Sequence, residues 1–230
     1  MQRRLVRKLD LEKAISRVAP HPSPKAYLEQ YTIDAEAAAE ILFTAAYIHN
    51  DIIDKKILDL GCGTGRLAIG AALLGAKEVV GVDLDRIAIR RAVLNARELG
   101  VEQDVNWVVA DIEAIRGSFD TVLQNPPFGV QRRKADMGFL RKALELGRCV
   151  YSLHKGVSNT DMQNVVPSPF LERFIERNGG EIKAMYVLTM SIPRMFAFHQ
   201  KRMYRFPVNL YVIENKNKRF IEQQKRKVSR

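Results

Sequence analysis

Two short motifs in this sequence have residue types that suit transfer of a methyl group to a planar amine. Residues 59–65 read Asp-Leu-Gly-Cys-Gly-Thr-Gly, and residues 125–128 read Asn-Pro-Pro-Phe. Each motif directly follows an apolar, strand-like run. Either motif alone is common, but in this order they predict one site in which the first holds a methyl donor and the second holds the acceptor amine.

The chemistry of the second motif is electronic. The lone pair of a ring-bound amine is delocalised, and two acceptors aimed at its hydrogens would free that lone pair for attack. Asn125 offers a side-chain carbonyl and Pro126 a backbone carbonyl, while Pro126 and Pro127 stiffen the loop. Phe128 offers a face for stacking on an extruded base, worth ~1–3 kcal/mol. The alternative is a structural proline turn with Phe128 in the core.

The first motif suits a nucleoside donor. Gly61, Gly63 and Gly65 would let the backbone turn sharply and approach a ligand at a helix N-terminus. Their G-x-G-x-G spacing differs from the dinucleotide pattern G-x-G-x-x-G. It resembles motif I of S-adenosyl-L-methionine enzymes, and that compound is therefore the expected cofactor. No metal site is expected, because the two cysteines have no metal-ligand spacing.

Acidic residues after the strands extend this prediction. Asp83 follows Gly61 by 22 positions, close to the ~20 expected for a carboxylate that binds ribose hydroxyls. Its alternative role is a helix N-cap, which Asp85 would fill equally well. Asp111 is expected to meet the adenine amine and Ile112 to pack on the ring, unless Asp111 is a solvated loop residue. Asp59 is expected to face the methionine amine through water.

The elements that must position these residues alternate along the chain. Strands are predicted at 57–60, 78–82, 105–109, 119–123 and 148–153, and helices at about 35–49, 67–74, 86–99, 137–146 and 169–177. Two β-rich runs, 182–192 and 206–213, follow without an intervening helix and suggest an antiparallel hairpin. The pattern predicts an α/β fold, a Rossmann-like seven-stranded methyltransferase sheet with helices on both faces.

The formal charge of +11 favours a polyanionic partner, RNA above all. The basic triplet Arg132, Arg133 and Lys134 follows the second motif, where a substrate phosphate would pass. His154 and His199 are either phosphate contacts or ordinary surface residues. No apolar run approaches bilayer length, so no membrane contact is expected and the predicted location is cytoplasmic.

Several segments together are more specific than either motif. They are residues 28–31, 59–63, 125–129, 136–140 and 151–155, and Phe198-His199 with its basic followers. This combination resembles the archaeal type of the methyltransferase-like protein five family, which makes N6-methyladenosine in small-subunit ribosomal RNA. The resemblance extends over residues 25–213 or so.

The resemblance implies more than the residues alone. Residues 1–50 would be a helical extension closing over the donor, 51–214 the catalytic domain, and 215–230 a basic tail. Donor contacts would include Gln30, Thr32, Thr64, Arg66, Leu84 and Asn125, in addition to the glycines and carboxylates above. RNA contacts would be Arg132, Arg133, Lys134, His154, Lys155, His199, Lys201 and Arg202. The family pattern Gln-Tyr-x-Thr is broken here, because Ile33 holds the fourth position.

The family also works with a small zinc-ribbon activator that covers an apolar sheet edge. The third strand is expected to lie at an edge, where Val105, Trp107 and Val109 would form the covered surface. Three other functions stay open: guanine-N2 methylation of RNA, N5 methylation of a protein glutamine, and a non-catalytic RNA-binding or assembly role.

Overall fold

The computed structural model describes residues 6–25, 27, 29–128, 135–156, 166–193 and 203–218. The strands within them are β1 (Lys56–Leu60), β2 (Glu78–Asp83), β3 (Val105–Val109), β4 (Phe119–Gln124), β5 (Gly147–Lys155), β6 (Gly180–Pro193) and β7 (Met203–Asn215). The α-helices are α1 (Lys8–Ser16), α2 (Ala35–Phe43), α3 (Arg66–Leu73), α4 (Arg86–Glu98), α5 (Ala135–Leu146) and α6 (Pro169–Arg177).

The strands form one seven-stranded sheet in the order β3-β2-β1-β4-β5-β7-β6. The five strands from β3 to β5 are parallel, and β7 runs antiparallel to both β5 and β6. The two final strands therefore form the predicted antiparallel hairpin. Because helices cover the sheet on both faces, the predicted α/β architecture is confirmed.

Two apolar clusters fill the space on either side of the sheet. One packs the strands against α1, α2 and α3, with Ile15, Leu42 and Ile69 fully buried. The other packs them against α5 and α6, with Leu140 and Ile175 at its centre. Burial on both faces explains why β1 has four consecutive buried residues instead of an alternating pattern.

The second helix begins where the sequence places it. The Asp34 side chain accepts a hydrogen bond from the Ala37 N–H at 2.9 Å and caps α2. Beyond Phe43 the helix continues as a single π-type turn, Thr44–Ile48, so the helical region ends one residue before the predicted His49. None of the helices in the described ranges is both long and apolar enough to cross a bilayer.

β3 lies at the edge of the sheet, as predicted, but its apolar side chains do not form the expected outer surface. Val105 is buried. The Trp107 ring packs inward, where Cβ atoms added to Gly65 or Gly81 would lie 2.5 Å from it. Of the three residues, only Val109 is substantially exposed, at 45%. The predicted activator surface is therefore wrong for Val105, whereas Trp107 is partly buried and Val109 is exposed.

Candidate active site

A cavity of about 460 Å³ opens at the carboxyl ends of the parallel strands. Ligands of α/β sheets bind at this end, and the volume suits a nucleoside-sized molecule. Most of the predicted donor and catalytic residues line it: Gln30, Thr32, Asp59, Gly61, Gly63, Thr64, Arg66, Asp83, Leu84, Asp111, Ile112, Asn125 and Pro127. The fold thus brings the two sequence motifs to one pocket.

Of the three loop glycines, Gly65 has a role that differs from the predicted one. It has a φ of +89° as the N-cap of α3, and it does not line the cavity. A Cβ atom there would lie 2.5 Å from the Trp107 ring. Gly65 therefore makes room for the indole beneath the loop, and its expected donor contact stays a prediction.

Asp83 is fixed by backbone donors at the end of β2. One carboxylate oxygen accepts from the Gly63 N–H at 2.8 Å, and the other accepts from the Asp85 N–H at 2.8 Å. Burial raises the pKa of Asp83, and these two hydrogen bonds act against that rise. Asp85 caps α4 by accepting from the Ile87 N–H. Asp83 is consequently not needed as the cap, and its predicted contact to the ribose stays a prediction.

Residues 17–34 connect α1 to α2 and pass beside the cavity, and we call this segment the strap. Asp85 anchors it: one of its oxygens accepts from Gln30 Nε2 at 3.0 Å and contacts Lys25 Nζ at 3.1 Å and His21 Nε2 at 3.4 Å. Burial alone would raise the pKa of Asp85, but the hydrogen bonds from Gln30, the Ile87 N–H and Lys25 outweigh it and lower the pKa to about 2.

Arg66 also binds the N-terminal segment. Its guanidinium donates to the backbone carbonyls of Ile15 at 3.2 Å and Val18 at 2.8 Å, and to that of Ile33. Burial lowers the pKa of Arg66. Although Arg66 lines the cavity, its donors serve α1 and the strap, a role that the resemblance did not imply.

Asp59 and Thr64 are buried polar residues at the floor of the cavity. Asp59 accepts from the Ala68 N–H at 2.9 Å. Burial raises its pKa from 3.8 to about 7; the Ala68 hydrogen bond opposes that rise, and the nearby Asp83 adds to it. The Thr64 hydroxyl has no hydrogen-bond partner among the described residues. Both groups are available to a polar ligand in the cavity.

The opposite side of the cavity combines apolar and acidic groups. Asp111 caps a short 3₁₀ turn, Ile112–Ala114, by accepting from the Glu113 N–H at 2.9 Å. Ile112 and Leu84 line the cavity beside it, and Leu84 is 56% exposed. Asp111 also lines the cavity, and its predicted contact to the adenine amine stays a prediction.

The Asn-Pro-Pro-Phe motif begins directly after β4. Asn125 reaches the cavity, and its side-chain oxygen is buried with no hydrogen-bond partner in the described part of the chain. Pro127 lines the cavity as well, and Pro126 between them is buried. Phe128 packs edge-on against Phe206, with ring centroids 6.0 Å apart. Its predicted stacking on a base stays a prediction.

The expected RNA contacts divide into three groups. His154 is buried at 5% exposure, and burial lowers its pKa from 6.5 to about 4. The prediction of a phosphate contact is wrong for this residue, because the imidazole is neutral and inaccessible. Lys155 is exposed. The remaining candidates lie outside the described residues: Arg132, Arg133, Lys134, His199, Lys201 and Arg202.

Sequence reasoning assigned no role to several other residues that line the cavity: His21, Tyr27, Glu29, Tyr31, Ile33, Cys62, Leu67, Glu113, Ala135 and Phe139. Phe139 of α5 lies closest to the loop, since a Cβ atom on Gly61 would be 2.7 Å from its ring. Glu29 and Tyr31 are the sequence neighbours of Gln30, so the predicted donor contact of Gln30 was the signal that could have identified them. Ile33 does line the site, although it lacks the hydroxyl of the family pattern.

Comparisons with known proteins are consistent with this geometry. A family model described as ribosomal protein L11 methyltransferase (PrmA) matches residues 45–126. The chain is 40% identical to the uncharacterized protein MJ0284 of Methanocaldococcus jannaschii, covering 91% of this chain and 95% of that protein. It is 33% identical to the rRNA N(6)-adenosine-methyltransferase METTL5 of Danio rerio, covering 84% and 91%. PH1948 of Pyrococcus horikoshii, a candidate RNA methyltransferase, matches with a TM-score of 0.80 and 35% identity over 92% and 99%.

Proposed function

Because the chain belongs to the METTL5 family of rRNA N(6)-adenosine-methyltransferases, we propose that it methylates the exocyclic N6 amine of an adenosine in RNA. The methyl donor is S-adenosyl-L-methionine. The observation that carries this proposal is the buried, unpartnered side-chain oxygen of Asn125 at the cavity wall. A carbonyl acceptor left without a donor in the described structure suits an amine hydrogen of the substrate.

The described residues fit the donor. The Thr64 hydroxyl and the Asp59 carboxylate offer acceptors at the floor, Asp83 offers a carboxylate at the end of β2, and Ile112 with Leu84 offers an apolar wall. When bound, S-adenosyl-L-methionine supplies a methyl group activated by a sulfonium. The protein's contribution is to hold donor and acceptor in line, since methyl transfer is a displacement that depends on position more than on a strong base.

Asn125 would accept one hydrogen of the adenine amine, and the backbone carbonyl of Pro126 would accept the other. These two hydrogen bonds draw the amine nitrogen towards a tetrahedral geometry, so that its lone pair can form the new N–C bond. As that bond forms, the sulfur–methyl bond breaks and a neutral thioether leaves. The nitrogen is then positively charged and loses a proton to water, since neither Asn125 nor Pro126 can remove one beforehand.

The finer substrate assignment is small-subunit ribosomal RNA. The family names of the relatives support ribosomal RNA as the class, and the formal charge of +11 supports a polyanion. Guanine-N2 methylation has the same electronic requirement and is the nearest competitor. The L11 methyltransferase model ends at residue 126 and covers the donor half and the start of the second motif, so it supports a shared donor site more than a shared protein substrate.

The decisive experiment follows the label to the modified atom. The purified chain is incubated with labelled donor and with ribosomal subunits, free ribosomal RNA, DNA or protein fractions, and the products are digested to nucleosides or amino acids. Label in N6-methyladenosine supports the proposal. Label in N2-methylguanosine or in glutamine contradicts it.

Two variants separate the catalytic role from donor binding. Asn125→Ala should abolish methyl transfer while the donor Kd stays within about threefold of wild type, because the transition state alone needs the acceptor. Asp83→Ala should first weaken donor binding. If Asn125→Ala lost donor binding together with activity, the residue would have a structural or donor-binding role instead.

The finer partner assignment is the small zinc-ribbon activator at the β3 edge. Among the described residues, β3 pairs with β2 on one side only, and an unpaired edge strand is a template for another chain. Leu94 of α4 and Val109 are exposed apolar residues, at 44% and 45%, and α4 packs on β3. A purified chain that is monodisperse and fully active alone would show that no activator is required.

A further inference from the structure

A hydrogen-bonded chain of buried side chains connects β4 to β5 directly beside the catalytic motif. Gln124, the last residue of β4, donates from Nε2 to Ser152 Oγ at 2.8 Å. Ser152 Oγ lies 2.9 Å from His154 Nε2. All three residues are buried, at 1%, 0% and 5% exposure. None of these three residues belongs to the predicted catalytic motif, residues 125–128. Gln124 directly precedes Asn125 in the chain.

The direction of this chain follows from the orientation that the structure gives the Gln124 amide, with Nε2 towards Ser152. An amide Nε2 only donates, so the Ser152 oxygen is the acceptor of that bond. The Ser152 hydroxyl then donates its hydrogen to His154 Nε2. His154 Nε2 must therefore be unprotonated, and the single ring proton lies on Nδ1. Deep burial favours the neutral imidazole that this arrangement needs. The network contacts only the Nε2 group of the Gln124 amide, and Gln124 Oε1 has no hydrogen-bond partner among the described residues.

Neighbouring residues hold the network in place from the next strand. Gln124 is the register partner of Ser152 on β5, and Ser152 is the register partner of Tyr211 on β7. The Tyr211 ring meets the His154 ring edge-on, with centroids 5.5 Å apart. The Tyr211 hydroxyl accepts from the Ser168 N–H at 3.2 Å. The network therefore ties the end of β4 to two further strands.

We propose that Gln124, Ser152 and His154 are positioning residues for methyl transfer, and this inference rests on the proposed function. By holding the end of β4, they fix the point from which Asn125 and the Pro126 carbonyl leave the strand. Two acceptors aimed at the two hydrogens of one amine tolerate little displacement, and a shift of about 1 Å can cost about 100-fold in rate. The Asn125 oxygen is held ready although none of the described residues donates to it.

The test compares His154→Phe with His154→Gln. Phenylalanine keeps the ring but removes the acceptor, and kcat should fall about 10- to 100-fold while the donor Kd and the KM for RNA stay within about twofold. Glutamine places an amide oxygen near the position of Nε2, so it should restore most of kcat. Gln124→Met, which keeps the length of the side chain but loses the amide, should reproduce the loss.

Tyr151→Phe is the matched control. Tyr151 is also buried on β5, but it lies on the opposite face, where its hydroxyl donates to Asp51 at 2.8 Å. Tyr151→Phe should lower the melting temperature by about as much as His154→Phe does, but it should leave kcat unchanged. A separate readout uses ¹⁵N shifts of the wild-type imidazole, which should show a neutral ring with the proton on Nδ1.

Three results would overturn the inference: a kcat for His154→Phe no lower than that of Tyr151→Phe, a His154→Gln variant as impaired as His154→Phe, or a proton on Nε2. The proposed function fails separately. If the label appears on another acceptor, the ratios of kcat among these variants on that acceptor still decide whether the network positions the motif.

Discussion

Asp59 should make donor binding depend on pH between pH 6 and 8. The carboxyl is fully buried beneath the glycine loop, and burial raises its pKa from 3.8 to about 7. At pH 6 the free enzyme therefore holds Asp59 mainly in its neutral form. A donor that carries a sulfonium and an ammonium group favours the ionised carboxylate, so binding should release the Asp59 proton.

The size of this effect follows from the pKa. With a pKa of about 7, the ionised fraction rises from about one tenth at pH 6 to about nine tenths at pH 8. If the donor binds the ionised form, its apparent Kd should be about tenfold higher at pH 6 than at pH 8, which corresponds to about 1.4 kcal/mol.

Stability of the donor-free enzyme should change in the opposite direction. The folded-state pKa of Asp59 lies above its unfolded value. The contribution of Asp59 to the free energy of unfolding is therefore fully present below about pH 4 and is lost as the pH rises through about 7. A difference of about three pKa units corresponds to about 4 kcal/mol in the free energy of unfolding.

Calorimetric titration in two buffers with different ionisation enthalpies measures both the Kd and the protons released. We expect close to one proton per donor at pH 6 and almost none at pH 8. Asp59→Asn keeps the size of the side chain and an acceptor for the Ala68 N–H, and it should bind the donor more weakly with no such pH dependence. Equal pH profiles for wild type and Asp59→Asn would refute the reasoning.

Two further predictions concern packing and the N-terminal segment. Gly81→Ala should lower the free energy of unfolding by about 1–3 kcal/mol, since the added Cβ would lie 2.5 Å from the Trp107 ring. The control is Gly138→Ala in α5, which should not destabilise the protein because its added Cβ would have no atom within 4 Å. Denaturant titration followed by the fluorescence of the single tryptophan compares the two variants. Arg66→Met should increase hydrogen exchange in α1 and the strap, because the carbonyls of Ile15, Val18 and Ile33 lose their donor. Unchanged exchange there would show that Arg66 is not the anchor.

The strands of the sheet could be predicted from the sequence because the signals that mark them lie within each strand and its next residues. β1 and β4 are apolar runs followed by Gly61 and Asn125, and the apolar run of β2 ends at Asp83. A strand buried on both faces produces such runs whatever its neighbours. The same locality explains the capping roles of Asp34 and Asp85, which are visible within four residues of each helix start. The positions of Asn125, Asp83 and Asp111 at the cavity were predictable because they follow or end parallel strands, and ligands of α/β sheets bind at that end.

The remaining features depend on contacts between distant segments. Arg66 donates hydrogen bonds to the backbone carbonyls of residues 15, 18 and 33. No residue spacing in the sequence predicts these long-range contacts. Gly65 has the residue type of a donor loop, but its neighbour Trp107 from β3 decides its role. His154 follows a strand at the ligand end of the sheet, where an exposed residue was expected, yet Tyr211 of β7 covers it.

The two oxygens of Asp85 have separate contacts, one with the start of α4 and the other with the strap. One oxygen serves only the Ile87 amide at the start of the helix, and the other receives Gln30, Lys25 and His21. Breaking the second set would leave the N-cap of α4 intact and would release the strap only near Lys25 and Gln30. Ala19 of the strap would stay on α4, because its N–H and carbonyl both bond to the Asn95 side chain at 3.1 Å.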